Sequence, residues 1–396
     1  MTTRRLVLTR SAAVVGAAST GLLLPEIVRA QSSKVRVGLM LPYTGTYAQL
    51  GVAIENAFRM AIDEKGGKLG GRDIEWFKVD DESEPSKGVE NANRLVQRDK
   101  VDVLVGTVHS GVQMGIQKVV RDSGTLCLIP NAGAHAATRA LCAPNVFRTS
   151  FTNAQPTSAL GKPMMDRGLK RAVWITHKYL AGDEAFEGFR DSYTKAGGTV
   201  IKELGLPFPN VEFQALLTEI ASLKPDAVAC FFAGGAAAKF IRDYAAAGLK
   251  GKIPLWGSGF LTEGVLDAAG PAAEGIMTTM HYSDSLDTPR NKQFRLAYAK
   301  TFRLQPDVYA VQGYDAGQLL VQGAAAVRGD LTNKQALYKA MESAVIDSPR
   351  GKWTMSKSHN PVQDMYLRVV EKGENKVIGI AAKAVADSGA GCKMAA

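Results

Sequence analysis

Val101-Asp102-Val103-Leu104-Val105-Gly106-Thr107-Val108-His109-Ser110-Gly111 reads as an apolar strand, a small-residue loop and the opening of a helix that runs to Arg121. Leu126–Ile129 follows as the next strand. Working back from this stretch, Ser86–Arg98 has helical spacing and Asp73–Asp80 is a strand behind the Gly66–Gly71 turn. Gln49–Glu64 is helical, with Ala53, Ala57, Met60 and Ala61 on one face, and Val35–Leu41 is the first strand. Short apolar strands alternating with amphipathic helices imply a parallel sheet covered on both faces.

Forward of Ser150 the rhythm restarts. Strands are expected at Ala172–Thr176, Val200–Leu204, Ala227–Phe232, Leu255–Gly257 and Gly275–Met280, separated by helices at Asp183–Ala196, Phe213–Leu223 and Ala236–Ala247. Two such halves read as two Rossmann-like lobes rather than one sheet, an α/β protein of two domains. Helices at Asn291–Phe302, Tyr309–Arg328 and Asn333–Glu342 and strands at Gly351–Thr354 and Met365–Glu371 are expected to return over both lobes. Residues 386–396 read as a Gly/Ala-rich tail.

Residues 1–30 have the pattern of an export leader. Thr3-Arg4-Arg5-Leu6-Val7-Leu8 is a paired-arginine start, similar to a twin-arginine signal with Val7 in place of Phe, so Tat and Sec routes are both open. Ala12 to Leu24 is apolar but short of the ~20 residues that span a bilayer. Val28-Arg29-Ala30 offers a cleavage site before Gln31, with no Cys there to carry a lipid. A soluble, periplasmic α/β protein is cut off from the nucleotide pools, which favours ligand capture over metabolic catalysis. The net charge of +10 comes from scattered Lys and Arg without long runs, so nucleic acid is not an expected partner. No Cys or His grouping has metal-ligand spacing, and no cofactor is expected. Cys230 lies in an apolar run as a free thiol. Among the other three cysteines one disulfide can form, either Cys127–Cys142 or Cys142–Cys392.

Eight motifs then stand in one order along the chain. They are Leu41-Pro42-Tyr43-Thr44-Gly45-Thr46-Tyr47-Ala48, Gly66-Gly67 with Gly71-Arg72, Asp80-Asp81 with Pro85, and Val105-Gly106 with Ser110. Phe147-Arg148-Thr149-Ser150, Ala246-Ala247-Gly248-Leu249, Ala273-Glu274-Gly275 and Gly313-Tyr314-Asp315-Ala316 complete the set. In these motifs the chain resembles the leucine/isoleucine/valine-type substrate-binding proteins of ABC importers. The resemblance implies a type I periplasmic binding protein fold, a three-crossover hinge, and a permease and ATPase as membrane partners of a monomer. Lobe 1 is expected over residues 34–148 plus 282–354, and lobe 2 over 149–281 plus 355–385.

The expected cleft lies beyond the carboxyl ends of the strands. Ser110 reads as the N-cap of its helix, where free N–H groups and the helix dipole suit a ligand carboxylate; plain capping is the alternative. Asn131-Ala132-Gly133 either brings backbone to the ligand or is a simple turn. Tyr179 either closes over the ligand or packs. Tyr43, His109, Gly234, Ser258 and Phe260 complete the expected site. Amino-acid-binding relatives carry an acid after the strand equivalent to Leu255–Gly257, whereas this chain has Ser258-Gly259-Phe260, and Glu263 is the nearest acid. A buried, unpaired ammonium costs several kcal/mol, so the expected ligand is a small carboxylate without an α-ammonium. Space at Ala233, Gly234 and Gly259, flanked by Phe260, Tyr179 and Tyr43, suits a flat ring. The pattern resembles the branch of the family that takes up benzoate-like and cinnamate-like acids. Branched-chain amino acids or their 2-oxo acids, and a ligand-sensing partner of a periplasmic receptor, are the competing readings. An enzyme is not expected: no dinucleotide fingerprint, P-loop or nucleophile elbow is present.

Overall fold

The computed structural model describes residues 34–394, so the leader read in residues 1–30 lies outside the described residues. A first parallel sheet is built from β1 (Lys34–Leu41), β2 (Asp73–Asp80), β3 (Val103–Val105), β4 (Leu126–Ile129) and β5 (Val146–Arg148), in the order β2-β1-β3-β4-β5. The short β3 shows why its sequence is apolar throughout. Val103 and Val105 enter one core with Phe58, Ile62, Leu319 and Leu320, while Leu104 enters the opposite core with Val112, Ile116 and Val120. A strand buried on both faces has no polar position to spare.

The second sheet holds β6 (Arg171–Lys178), β7 (Thr199–Pro207), β8 (Ala227–Phe231), β9 (Leu255–Ser258), β10 (Met277–Met280), β11 (Thr354–Met355), β12 (Pro361–Glu371) and β13 (Glu374–Val385). Its order is β11-β12-β10-β9-β8-β6-β7, with β13 beside β12. Strands β6 to β10 are parallel, and β12 joins β10 antiparallel. Each sheet with its helices forms one lobe. Strand β13 carries no apolar alternation facing a core, since Ile378 and Ile380 are exposed, and it is a strand the sequence pattern does not announce. Its pairing with β12 through the Lys372-Gly373 turn, both at positive φ, places it there.

Helix Val308–Ala326 returns to the first sheet and packs on helix Ala48–Asp63. Gly313 and Gly317 make this approach possible, because a Cβ on either would come within 2.2 Å and 2.6 Å of the Ile54 and Phe58 carbonyl oxygens. Between the lobes, Thr149 and Ser150 are held from the C-terminal part of the chain. The Arg350 guanidinium donates to the Thr149 carbonyl at 2.6 Å, and Gln363 Nε2 donates to the Ser150 carbonyl at 2.6 Å. Arg350 is itself buried against Asp315 at 3.0 Å.

The described part of the Gly/Ala-rich C-terminal tail is tied to the first lobe. Arg139 makes a two-nitrogen bond to Asp387, and Cys392 forms a disulfide with Cys142. Of the two pairings the sequence left open, Cys142–Cys392 is the one formed, and Cys127 is a buried free thiol on β4. The segment therefore leaves β13 of the second sheet and is bonded to the β4–β5 connection of the first.

Candidate functional site

Both sheets reverse strand order once, the first between β1 and β3 and the second between β6 and β8. Strands splay apart at such a switch point, which opens a crevice beyond their carboxyl ends. Here the two crevices face each other. A cleft is lined by Tyr47, Leu50, Val108, Ser110, Asn131, Gly133, Phe151, Asn153, Tyr179, Ala181, Phe231, Ala233, Phe260 and Tyr309. No lining residue is charged.

One end of the cleft is polar. Helix Ser110–Ser123 begins there, and its N-cap is His109, not Ser110. His109 Nδ1 accepts from the backbone N–H of Gly111 at 3.1 Å and Val112 at 3.3 Å. Burial holds the His109 pKa down to about 4, so the ring stays neutral and able to accept. The helix tip thus has less free backbone than its sequence suggests, but a neutral cap leaves the helix dipole in place. Ser110 becomes the first helical residue and offers its hydroxyl. Asn153 Nδ2 donates to Ser110 Oγ at 3.1 Å, which leaves the hydroxyl hydrogen for a ligand. Asn131 is fixed by donating to Gln312 Oε1 at 2.7 Å.

The other end is aromatic. Phe260 lies 4.7 Å from Phe151, 5.8 Å from Tyr309 in a stacked arrangement, and 6.0 Å edge-on from Phe231. The Tyr309 hydroxyl is buried with no hydrogen-bond partner among the described residues. Such a group is costly unless something in the cleft completes it. Four further rings meet across the two lobes. His109 and Tyr179 stack at 5.0 Å, Phe208 lies 5.0 Å from His109 and 5.1 Å from Tyr179, and the Tyr47 and Tyr179 hydroxyls meet at 3.0 Å. Tyr47 and His109 come from the first lobe, Tyr179 and Phe208 from the second.

A family model described as periplasmic binding protein matches residues 34–375. The chain belongs to that family. A solute-binding protein of an ABC transporter from R. palustris, in complex with benzoate, superimposes with a TM-score of 0.89 at 53% identity, covering 91% of this chain and 99% of the other. Another from Rhodopseudomonas palustris BisB5, in complex with 3,4-dihydroxybenzoic acid, gives 0.85 at 30% identity over 90% and 99% of the two chains. Among curated relatives, Leu/Ile/Val-binding protein homolog 6 of Brucella abortus (strain 2308) is 28% identical over 356 residues, 87% of this chain and 90% of the relative.

In this periplasmic binding protein, Ser110, Asn131, Gly133, Tyr179 and Phe260 line the cleft together. The other expected residues do different work. Tyr43 lies outside the lining, with Lys78 Nζ 3.7 Å above its ring and its backbone N–H held by Asp80. Ala132 ties its loop to Thr107 through a backbone bond. Gly234, at φ +58°, is a close approach between lobes, since a Cβ there would lie 2.6 Å from the Thr46 carbonyl oxygen. Ser258 is buried beside the site but does not line it. Nor does Gly259 open space for a ring: its missing Cβ would sit 2.4 Å from the Arg368 guanidinium. Tyr47, Phe151, Asn153, Phe231 and Tyr309 are site residues the sequence reading missed. Tyr47 alone had a signal, sitting in the same loop motif as Tyr43.

Glu263, the acid nearest in sequence to Ser258-Gly259-Phe260, is buried in an ion pair with Arg368 and accepts from the Val308 N–H at 3.0 Å. Burial raises its pKa and Arg368 opposes that rise.

Proposed function

We propose that this chain is the periplasmic solute-binding component of an ABC importer and captures benzoate or a ring-substituted benzoate. The observation that carries this reading is the division of one uncharged cleft into a hydroxyl-bearing helix tip and a box of aromatic rings. A carboxylate fits the first, accepting from Ser110 and favoured by the helix dipole; a flat ring fits the second. No acid lines the cleft to pair an ammonium, which disfavours leucine, isoleucine and valine. The benzoate and dihydroxybenzoate complexes of the similar R. palustris proteins support the same ligand class.

In the mechanism, lobe 1 (34–148 plus 282–354) and lobe 2 (149–281 plus 355–385) rotate about crossovers near Arg148–Ser150, His281–Tyr282 and Thr354–Ser356. A ligand that touches both lobes favours the closed state through contacts absent in the open one. The rings of Tyr47, His109, Tyr179 and Phe208 then cover it. The leader in residues 1–30 delivers the chain to the periplasm, and a permease with its ATPase receives the ligand. Binding without turnover is the expected behaviour on ester and glycoside panels.

A thermal-shift series tests the ligand directly, because a ligand bound only by the native state raises the melting temperature. Benzoate, hydroxybenzoates and cinnamate are expected to raise it, while leucine, isoleucine, valine and their 2-oxo acids leave it in place. A larger rise with leucine than with benzoate refutes the assignment.

A further inference from the structure

Asn153 is the pivot of the polar end, and its amide hydrogens are both spent. One goes to Ser110 Oγ at 3.1 Å and the other to Glu184 Oε2 at 2.7 Å. Glu184 sits on helix Leu180–Lys195 of the second lobe, yet both its oxygens also accept from the His135 backbone N–H of the first lobe, at 3.1 and 3.0 Å. The charged groups around it come from several elements. The His135 ring is 3.6 Å away and held neutral by burial, with its pKa lowered to about 4; Glu187 approaches the same ring nitrogen, Nδ1, at 3.9 Å; Arg139 and Arg148 lie further off. None of these pairs directly with Glu184 through a charged hydrogen bond among the described residues.

An amide can present either its NH2 or its oxygen to a neighbour. Burial raises the Glu184 pKa to about 7 against the Asn153 and His135 hydrogen bonds, so at a pH of about 8.5 it is ionised and has nothing to donate; were Asn153 reversed there, its oxygen would confront that carboxylate. Glu184 therefore selects the orientation in which Asn153 donates. Ser110 Oγ must then accept from Asn153, and its single hydrogen can only be given outward, into the cleft. Without that constraint the amide can turn and take the Ser110 hydrogen for itself, leaving the helix tip as an acceptor that repels a carboxylate. Gly133 is required for the same arrangement, as a Cβ there would lie 2.3 Å from Asn153 Oδ1.

We propose that Glu184, which touches no ligand, is a positioning residue that sets the polarity of the Ser110 hydroxyl through Asn153 and so makes the site select a carboxylate over its amide. The inference rests on the reading that Ser110 binds the ligand carboxylate. The test is calorimetric titration of the full mature chain with benzoate and with benzamide at a pH of about 8.5, where Glu184 is ionised. In Glu184→Ala, benzoate affinity is expected to fall about tenfold relative to benzamide, the scale of one charge-linked hydrogen bond. Glu184→Gln is expected to restore the ratio to within about threefold, because its amide oxygen, held by the His135 N–H, still accepts from Asn153. Asn153→Ala removes the relay at its centre, should produce the same change in ratio, and serves if Glu184→Ala does not fold. In a Ser110→Ala background, Glu184→Ala should change the ratio no further.

Equal losses for both ligands, or an unchanged ratio, overturn the inference and reduce Glu184 to a structural tie. A ratio change that persists in the Ser110→Ala background overturns it too. If Ser110→Ala by itself leaves benzoate affinity untouched, the carboxylate reading of the helix tip has failed, and this inference falls with it.

Discussion

The two ends of the cleft are built in different ways. The polar end comes from junctions local in sequence: the β3 loop leads into helix Ser110–Ser123, and the β4 loop carries Asn131 and Gly133. The aromatic end gathers Phe151, Phe231, Phe260 and Tyr309 from four separate segments. A donor at a helix tip needs only a loop of suitable length, whereas a box of rings needs several chain segments brought to one point. The polar end accordingly depends on hydrogen-bond direction and the aromatic end on packed area, and the two should fail differently under mutation.

The largest expected effect is at the aromatic end. Phe260 touches three of the other rings, so Phe260→Ala should cost about 3–5 kcal/mol in stability, as large aromatic truncations do. Surviving protein should lose affinity for benzoate more than for a short aliphatic acid. Equal losses in a calorimetric titration would show that ring contact is not what this end supplies.

Next is the restraint beside the polar end. Cys142→Ser with Cys392→Ser should lower stability by about 2–4 kcal/mol, the usual worth of a disulfide, read by denaturant unfolding. Benzoate affinity measured well below the new melting temperature should stay within about twofold, since neither cysteine lines the cleft.

Ser110→Ala should weaken benzoate by about 1.5–3 kcal/mol, the range for a hydrogen bond to a charged group, and cost the ligand-free protein about 1 kcal/mol because buried Asn153 loses an acceptor. Unchanged benzoate affinity beside that loss of stability would mean that the hydroxyl serves Asn153 rather than the ligand.

A pH dependence at the cap tests the polar end in a different way. His109 has a folded pKa of about 4 against an unfolded value near ~6.5. A depressed pKa means that its contribution is complete above ~6.5 and is lost as pH falls toward 4. His109→Asn keeps a capping acceptor and removes the titration. The stability difference between wild type and variant, followed by thermal melting from pH 7.5 to 4.5, should therefore drift against wild type as the pH falls. A difference that is flat across this range contradicts the assignment of a neutral, buried cap.

The sequence was most readable where period and burial agree. Strand β3 was placed by its apolar run Val103–Val105, although the expected start at Val101 took in Asp102, which the strand leaves out. Strand β13 was unreadable because Ile378 and Ile380 face outward, so its alternation points to no core, and only pairing with β12 makes it a strand. In the site, Ser110 was found because a Ser before a helix is a local signal. Its role as cap was misplaced by one residue, since a histidine ring can reach back to two N–H groups and nothing in the sequence reports that rotamer. Gly259 was read as open space, yet it makes room for the buried Arg368 of β12, more than a hundred residues away. Asn153 and Tyr309 carried no local signal, and each matters through what the fold sets against it.

By itself, then, the chain determined two α/β lobes and a crevice beyond their strand ends, because these follow from periodicity and residue type over a few neighbours, while the expectation of a carboxylate without an ammonium came from the resemblance. Tertiary structure alone decided which rings meet, which cysteine Cys142 takes, that Glu263 belongs to Arg368, and that Glu184 stands behind Asn153. Those outcomes depend on distances between segments far apart in the chain, and no local preference encodes them.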